Sequence, residues 1–558
     1  MKRAIQYLRD NEFDIVIIGG GITGACLAHD GALRGLKVAL VEKNDFGMST
    51  SAASSKLLHG GIRYLQKLQF SKVRESARER TYFQVIAPHI TTYIPFLIPT
   101  VKNSLMKGPA ALLAGMNLYR LICMGLNGMI PDPSKKAAYG TLLSRGEVLK
   151  VVPMLNRIDG LNGAHTLFES HMHNSERMTL AFIKSALRNG GVAANHTEAT
   201  ALLTDGGRIV GVSCVDRLSG LSFAVKAKIV INAAGPFLPG INAQIESLRL
   251  FKDTTGFSKG VHIVVSQLEE NYALALSSGK KTEGLVTRGG RHIFMIPWRS
   301  RTLIGTTNVP MNDDLDKLHV TRKDIDDFLQ DINAIVPGID IKASDVHYAF
   351  SGLYPLISDE IKSDTYQGTG EYQVVDHAAQ NGPEGIVSVM GAKYTTAREI
   401  AEQGLDLVMK KLGSDRKCRT ASEPLCEGKI GNLSRFIVEK QSQYRELLSA
   451  ETVHDLIVSH GSEVDTVIDY CRQRDGFLEK ITADRETLLG EVAYAVDHEM
   501  ARTLDDVVFA RTGLGTIGHP GADAIAKVCD VIGPMLGWSK EQLSREIEVV
   551  ERRYQWQD

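Results

Sequence analysis

At 558 residues the chain exceeds one ordinary domain of roughly 100–200 residues, so two or three packed units are expected. With 43% hydrophobic and 23% charged residues it is globular, and fibrous or disordered classes are excluded. Lys plus Arg total 64 against 65 Asp plus Glu, a net charge of −1, so no global field recruits nucleic acid and any anion binding is local.

The first residues, MKRAIQYLRDNEF, are positively charged but contain no apolar stretch long enough for a secretory signal. The seven cysteines are odd in number and widely spaced, with no CxxC, which argues against a disulfide framework or zinc ribbon and for a reducing compartment. From Phe13 the chain reads FDIVIIGGGITG: an apolar strand, then Gly19, Gly21 and Gly24 in GxGxxG spacing, then a helix from Thr23 to Leu33. Gly19 permits the tight turn, Gly21 lets backbone N–H groups close on a pyrophosphate, and Gly24 lets the helix lie against the strand, with its positive end aimed at the phosphates. A second strand runs from Lys37 and ends at Glu42, placed to accept ribose hydroxyls, with Lys43 beside it. Together these predict a dinucleotide site.

The Ser-rich run from Ser49 to Ser55 leads into His59-Gly60-Gly61 and Arg63-Tyr64. Hydroxyls of Ser49, Thr50 and Ser51 suit a pyrophosphate or ribityl chain, while Gly60 and Gly61 allow backbone to approach a flat ring, so a flavin fits better than a nicotinamide. The apolar stretch from Ser104 to Ile130 is divided by Lys107, Pro109 and Arg120 into runs shorter than the ~20 residues a membrane span requires. It reads either as helices packed on a domain or as a monotopic surface dipping into headgroups. His171 and His173 share a strand face but lack a third metal ligand nearby.

Ile15 to Ile18, Ile229 to Ala233 and Ile386 to Met390 are continuous apolar runs, as in strands buried on both faces. If they share one parallel sheet, the cofactor domain is discontinuous: residues 12–70, 166–244 and 341–411, with a substrate domain from 71–165 and 245–340 inserted. After the last of these strands, Gly391 turns towards a helix with Thr395 as expected N-cap. Residues 412–430 read as a linker, and 431–558 as an all-helical domain whose best helix spans Thr487 to Arg511. Within it His498-Glu499 begins like a zincin but lacks the second histidine.

The segments GGGITGACLAHDGALRGLKVALVEKNDF, SSKLLHGGIRYL, INAAGPF, KGVHIVV, LIGTTNVP and GAKYTTAR, and YAVDHEMARTLDDVVFART near the C-terminus, together resemble the FAD-dependent glycerol-3-phosphate dehydrogenase family across nearly the whole chain. The resemblance implies an α/β fold: a glutathione-reductase-like FAD domain with a parallel sheet, a mixed α+β substrate domain and a helical C-terminal domain. It implies FAD as cofactor and hydride transfer from a small secondary alcohol, sn-glycerol 3-phosphate, to the flavin N5. Electrons would pass to a quinone or other acceptor. The expected location is cytoplasmic or peripheral on the inner face of a membrane, and a homodimer stays open.

Residue by residue, the resemblance assigns Arg63, His262 and Lys393 to catalysis, and those three with Tyr64 and Tyr354 to the substrate. Gly235, Gly391, Lys393 and Thr395 join the amino-terminal residues around FAD, with His59 as a candidate for covalent attachment. His262 could take the hydroxyl proton, Arg63 could fork onto an anion, and Lys393 offers a compact charge. The sequence departs from the family's SGxRPL pattern at Ser351-Gly-Leu-Tyr-Pro-Leu356, where Tyr354 replaces an arginine, and Gly370 stands where a second arginine is expected. Either other cations compensate, with Arg288, Arg291, Arg299 and Arg301 in range along the chain, or the substrate lacks the phosphate. The latter reading admits a hydroxy or amino substrate, an oxygen-using oxidase, or a flavin-binding protein without turnover.

Overall fold

The computed structural model describes the whole chain except residues 66–67, 102–108, 246–247, 249–255, 278–291, 312–314, 316–317, 337, 357–371 and 557–558. The three apolar runs do share one sheet. Glu12–Ile18 lies between Ser222–Asn232 and Val38–Val41, Ile386–Met390 flanks Ser222–Asn232 on its far side, and Val192–Ala194 extends the other edge, all parallel. One face is covered by three helices, Ile22–Leu33, Ser175–Arg188 and Ala397–Lys411. The hairpin Thr197–Asp205 and Arg208–Asp216 covers the other. A sheet buried on both faces accounts for the uninterrupted Val and Ile of its strands.

The second sheet is mixed and has ten strands among the described residues. Its longest pairings are Thr91–Val101 with Leu161–Met172 and Gly256–Ser266 with Val346–Leu356, both antiparallel. These move two expected domain boundaries. Val346–Leu356 was expected in the FAD domain, but it pairs residue by residue with Gly256–Ser266, and Leu161–Met172 carries the second sheet past residue 166. In the opposite sense, Phe70–Ile86, expected in the substrate domain, sends Phe83 and Ile86 into the core of the cofactor domain and pairs Glu79 with Arg398 at 2.6 Å.

The C-terminal part is helical, as expected, from Leu433–Tyr444 to Lys540–Arg552. Its expected helix from Thr487 to Arg511 is interrupted. Leu489–His498 ends with Met500 at φ 65°, the Ala501 N–H reaches back to the Ala495 carbonyl, and a separate π-helical turn forms at Asp506–Arg511. This is the left-handed helix stop normally supplied by glycine, here taken by a methionine that is fully buried.

The expected linker is also not a solvated tether. Leu425 to Gly428 is buried, and Glu427 meets Lys184 and Arg177 of the helix Ser175–Arg188. Lys184 also contacts Glu463 at 3.0 Å and Glu499 at 3.2 Å, and Arg177 contacts Glu499 at 2.6 Å. Burial alone would lower the Lys184 amine, but Glu427 and Glu499 hold it well above its usual range. Burial would likewise raise Glu499, but Arg177 and Lys184 hold it well below. One cluster of charges thus clamps cofactor domain, connecting segment and helical domain together.

Removing one member of such a cluster strands the others in a dry interior. Lys184→Met should lower stability by about 3–5 kcal/mol, read as a shift of the urea midpoint in far-UV circular dichroism. Adding Glu427→Gln to it should recover part of the loss, because Arg177 then faces one buried carboxylate instead of two, while Glu463 keeps Arg188 at 2.6 Å.

Candidate active site

A cavity of about 570 Å³ opens where the parallel strands end. Gly19 has φ 102°, and a Cβ there would lie 2.7 Å from the Ala233 carbonyl oxygen; a Cβ on Gly24 would overlap the carbonyl oxygen of Gly19 itself. Strand, turn and helix therefore touch backbone to backbone, which only glycine allows. The helix starts at Ile22, with Gly21 as its cap, and Ser51 Oγ accepts the Ile22 N–H at 2.9 Å. Glu42 ends its strand by accepting from the N–H groups of Gly20 at 2.6 Å and Asn44 at 2.8 Å. Burial pushes its carboxyl up, against those two bonds.

The expected residues divide into those lining this cavity and those behind it. Gly19, Gly21, Glu42, Lys43, Ser49, Thr50, Ser51, Gly235, Tyr354, Gly391 and Lys393 line it. Lys43 also lies 4.4 Å from the Phe237 ring centroid. Gly24 packs beneath the turn. Tyr64 is drawn to the far end, its ring centroid 4.5 Å from Lys393 Nζ, and that ammonium donates to Ser76 Oγ at 3.1 Å. Burial pulls the Lys393 amine down to about 8, against the attraction of Glu75.

His59, Gly60 and Gly61 do not line the cavity. A Cβ on Gly61 would lie 2.9 Å from that of Ser76, and one on Gly60 would overlap Tyr119 Oη. Thr395 is buried inside a short turn, Tyr394–Thr396, and the cap position falls to Thr396, whose side chain makes no capping bond. The expectation of Thr395 as N-cap is thereby corrected. The extra turn of 3-10 helix shifts the start of Ala397–Lys411 by one residue.

His262 sits one layer behind the wall. Its Nε2 shares a hydrogen with Ser55 Oγ at 2.8 Å, its ring stacks on Phe350 at 5.2 Å between centroids, and Gly305 leaves just enough room for it. Burial, aided by the nearby Lys56 cation, drops its imidazole to about 3, so it is neutral throughout the working range of most enzymes. Arg63 lies in the helix Ile62–Leu65, and its side chain is outside the described residues, as are Gly370, Arg288 and Arg291 entirely. Arg299 turns away to the Gly513 carbonyl and Thr516 of the helical domain, and Arg301 donates to the Ser300 carbonyl. His171 is buried and His173 stands 3.6 Å from Asp455.

Two features were missed. Lys56 is fully buried, with Nζ donating to both oxygens of Glu176 at 2.8 Å, to Ser175 Oγ and to the Ala52 carbonyl, so an internal ion pair holds the Ser-rich loop in shape. Tyr354 Oη donates to Asn308 Oδ1, which also accepts from Ser258 Oγ. Lys56 was visible as a cation in an otherwise neutral loop, but nothing local pointed to partners more than a hundred residues away.

The cavity suits FAD. A backbone cradle at Gly19 to Gly21 lies between Glu42 at one end and Lys393 at the other. Gly235 and Gly240 face open space that a side chain would fill.

Residues 14–398 match the family model described as FAD dependent oxidoreductase, and 418–543 the C-terminal domain of alpha-glycerophosphate oxidase. The glycerol-3-phosphate dehydrogenase of Synechocystis is 30% identical, with 98% of this chain and 97% of that protein covered. The mitochondrial glycerol-3-phosphate dehydrogenase of Mesocricetus auratus is 32% identical over 96% of this chain and 72% of its own. Among solved structures, the Bacillus halodurans glycerol-3-phosphate dehydrogenase complexed with FAD superposes with a TM-score of 0.76 at 27% identity, covering 99% of this chain and 96% of that one.

Because a Cβ at position 24 collides with backbone rather than with a movable side chain, Gly24→Ala should purify folded but largely colourless. The flavin absorbance band relative to that at 280 nm checks this.

Proposed function

Since the chain belongs to the FAD-dependent glycerol-3-phosphate dehydrogenase family, we propose that it oxidises sn-glycerol 3-phosphate to dihydroxyacetone phosphate and passes the electrons to a quinone at a membrane surface. The observation that carries this reading is a nucleotide cavity ending at Lys393, with a second sheet forming the wall above it. FAD, when bound, supplies the two-electron acceptor for the hydride leaving the alcohol carbon. The positive end of the helix Ile22–Leu33 is aimed at its pyrophosphate, while the N–H groups of Gly19, Gly20 and Ile22 hold the turn itself in shape through Val41, Glu42 and Ser51. Glu42 accepts from its ribose.

At the other end, Lys393 places a positive charge beside the bound alcohol, and Tyr64 and Ser76 fix its direction. Arg63, one position before Tyr64, is assigned the anionic end of the substrate. The hydroxyl proton leaves towards Ser55 and His262. With an imidazole lowered to about 3, His262 is uncharged beforehand and holds the accepted proton only in passing.

No described helix is long and apolar enough to cross a membrane. Surface contact is instead proposed for the segment around Pro109–Ile122, where Leu113, Leu118, Leu121 and Met124 are exposed.

One observation favours a second reading. Tyr354 offers a neutral phenol where the resemblance expects a guanidinium, and a dianionic phosphate gains more from a bidentate cation than from a single neutral donor. A polyol or hydroxy acid without phosphate would suit Tyr354 and Asn308.

Anaerobic titration with glycerol 3-phosphate should bleach the flavin band, and bleaching by glycerol or a hydroxy acid alone would select the second reading. Tyr354→Arg should lower the KM for glycerol 3-phosphate about tenfold or more, the value of one charge-assisted contact. The Lys393 amine loses its charge as pH rises through about 8, so KM should climb above that pH. In Lys393→Arg, which stays charged, that rise should vanish.

A further inference from the structure

Lys56 is among the largest fully buried side chains of the protein, and the steps above give its charge no role. A buried ammonium is costly unless each of its hydrogens finds an acceptor. Here three hydrogens face four oxygens: the Ala52 carbonyl at 2.7 Å, Ser175 Oγ at 2.9 Å and both carboxylate oxygens of Glu176 at 2.8 Å. That set suits the charged form, because a neutral amine has one hydrogen fewer to give. Burial pulls the amine down, and Glu176 opposes the fall.

The residue is pinned through its backbone as well. Its N–H donates to Ser54 Oγ at 3.2 Å, and its carbonyl accepts from the Met172 N–H at 2.7 Å. Its φ is 55°, in the left-handed region that residues other than glycine seldom take. Such a conformation persists where the surrounding bonds over-determine it, and it collects at functional sites.

Two routes lead from this cation to His262. The first is covalent: Ser55 immediately precedes Lys56, and Ser55 Oγ is the atom 2.8 Å from His262 Nε2. The second passes through a ring. Lys56 Nζ lies 5.6 Å from the centroid of Phe350. Phe350 pairs with His262 across the strands Gly256–Ser266 and Val346–Leu356, and the two rings stack with their planes 10° apart. His262 Nδ1 has no partner in the protein, so among the described residues the bond to Ser55 is the one hydrogen bond that fixes the imidazole. The same ammonium reaches the cofactor side, since Ser175 Oγ donates to the Ser51 carbonyl at 3.0 Å and Ser51 Oγ accepts the Ile22 N–H.

We propose that Lys56 is a positioning residue of the oxidation: clamped on Glu176, it holds the Ser55 hydroxyl on His262 and in line with the cofactor turn, so the path of the substrate's hydroxyl proton is set before the alcohol binds. The inference rests on the dehydrogenase reading above and on its proton path. Lys56 touches no reacting atom and acts through Ser55. The alcohol oxygen gives its proton towards Ser55, whose own hydrogen goes to His262 Nε2, while the carbon gives up its hydride to the flavin. Alcohol minus proton and hydride is ketone, so the step balances without a further reactant.

The test is a cycle of variants in the FAD-loaded full-length protein. Lys56→Met/Glu176→Gln removes the cation together with its partner, so that no buried charge is stranded. Lys56→Gln, uncharged but still a donor, is a second probe of the same position. Ser55→Ala removes the hydroxyl alone. In anaerobic mixing with glycerol 3-phosphate, Lys56→Met/Glu176→Gln and Ser55→Ala should each slow flavin bleaching at saturating substrate by about tenfold or more, and Lys56→Gln by less. The concentration giving half the maximal rate should stay within about twofold. Adding Ser55→Ala to either Lys56 variant should bring the rate to within about twofold of Ser55→Ala itself, because Lys56 acts through a hydroxyl that is then missing. A second readout needs no turnover: in protein carrying isotope-labelled histidine and no FAD, the His262 Nε2 resonance should move in the Lys56 variants towards its position in Ser55→Ala. Bleaching that keeps the unaltered rate in both Lys56 variants, or losses that multiply with that of Ser55→Ala, overturns the role of Lys56 and leaves the dehydrogenase reading in place. An unaltered rate in Ser55→Ala overturns the proton path, and the role of Lys56 with it.

Discussion

Everything in this molecule depends on three strands, drawn from residues 12–18, 222–232 and 386–390, pairing in parallel so that their carboxyl ends finish together. Parallel pairing demands crossovers, and here the crossovers are not simple helices but long excursions in which a second sheet is assembled. The ladder Ile18 to Asn232 and Asn232 to Ser388 fixes where Gly19, Ala233 and Gly391 meet. The cofactor turn, the floor under the ring end and Lys393 are all consequences of that register. A slip of one residue would exchange the side chains packed on the two faces, one against three helices and the other against the hairpin, so the fit of two different cores enforces the geometry of the site.

Two buried ion clusters do what hydrophobic packing cannot, which is to hold irregular backbone. Lys56 with Glu176 anchors the Ser-rich loop against the helix Ser175–Arg188, and the opposite end of that same helix carries Lys184 into Glu427, Glu463 and Glu499. One helix therefore reads the position of the cofactor loop at its start and of the C-terminal domain towards its end. Such pairs give little net stability compared with apolar packing, but they have one geometry in which every charge is matched. A loop without regular hydrogen bonds gains a definite shape from them.

The parts that could be read from the sequence are those whose signal is local. The glycines of the first turn announce themselves because backbone contact at Gly19 and Gly24 admits no other residue, and the apolar strands because burial on both faces leaves no polar positions. What could not be read depends on distant partners. Val346–Leu356 alternates as any strand of a mixed sheet would, and only its pairing with Gly256–Ser266 reveals its domain. Thr487 to Arg511 carries an unbroken helical periodicity, yet Met500 adopts a left-handed conformation because the Ala501 N–H and the Arg511 side chain satisfy the carbonyls left behind. Lys56 and Glu176, or Tyr354 and Asn308, are pairs no spacing rule anticipates.

Two cavities lie on either side of one thin wall. The first is lined by backbone N–H groups, hydroxyls and a lysine, a surface that binds anions and polar carbon. The second, beneath the helix Pro109–Ile122, is lined by Leu113, Leu121 and Met124 together with Arg80, Asn117 and His165. The two are joined through Gly60, Gly61 and Ser76, the last of which accepts from Lys393 of the first cavity. Glycine at 60 and 61 is then explained by proximity in a second sense. The wall has to be one backbone thick, because Tyr119 and Arg80 press on it from one side and Ser76 with Tyr64 from the other, and any side chain there would push the two compartments apart.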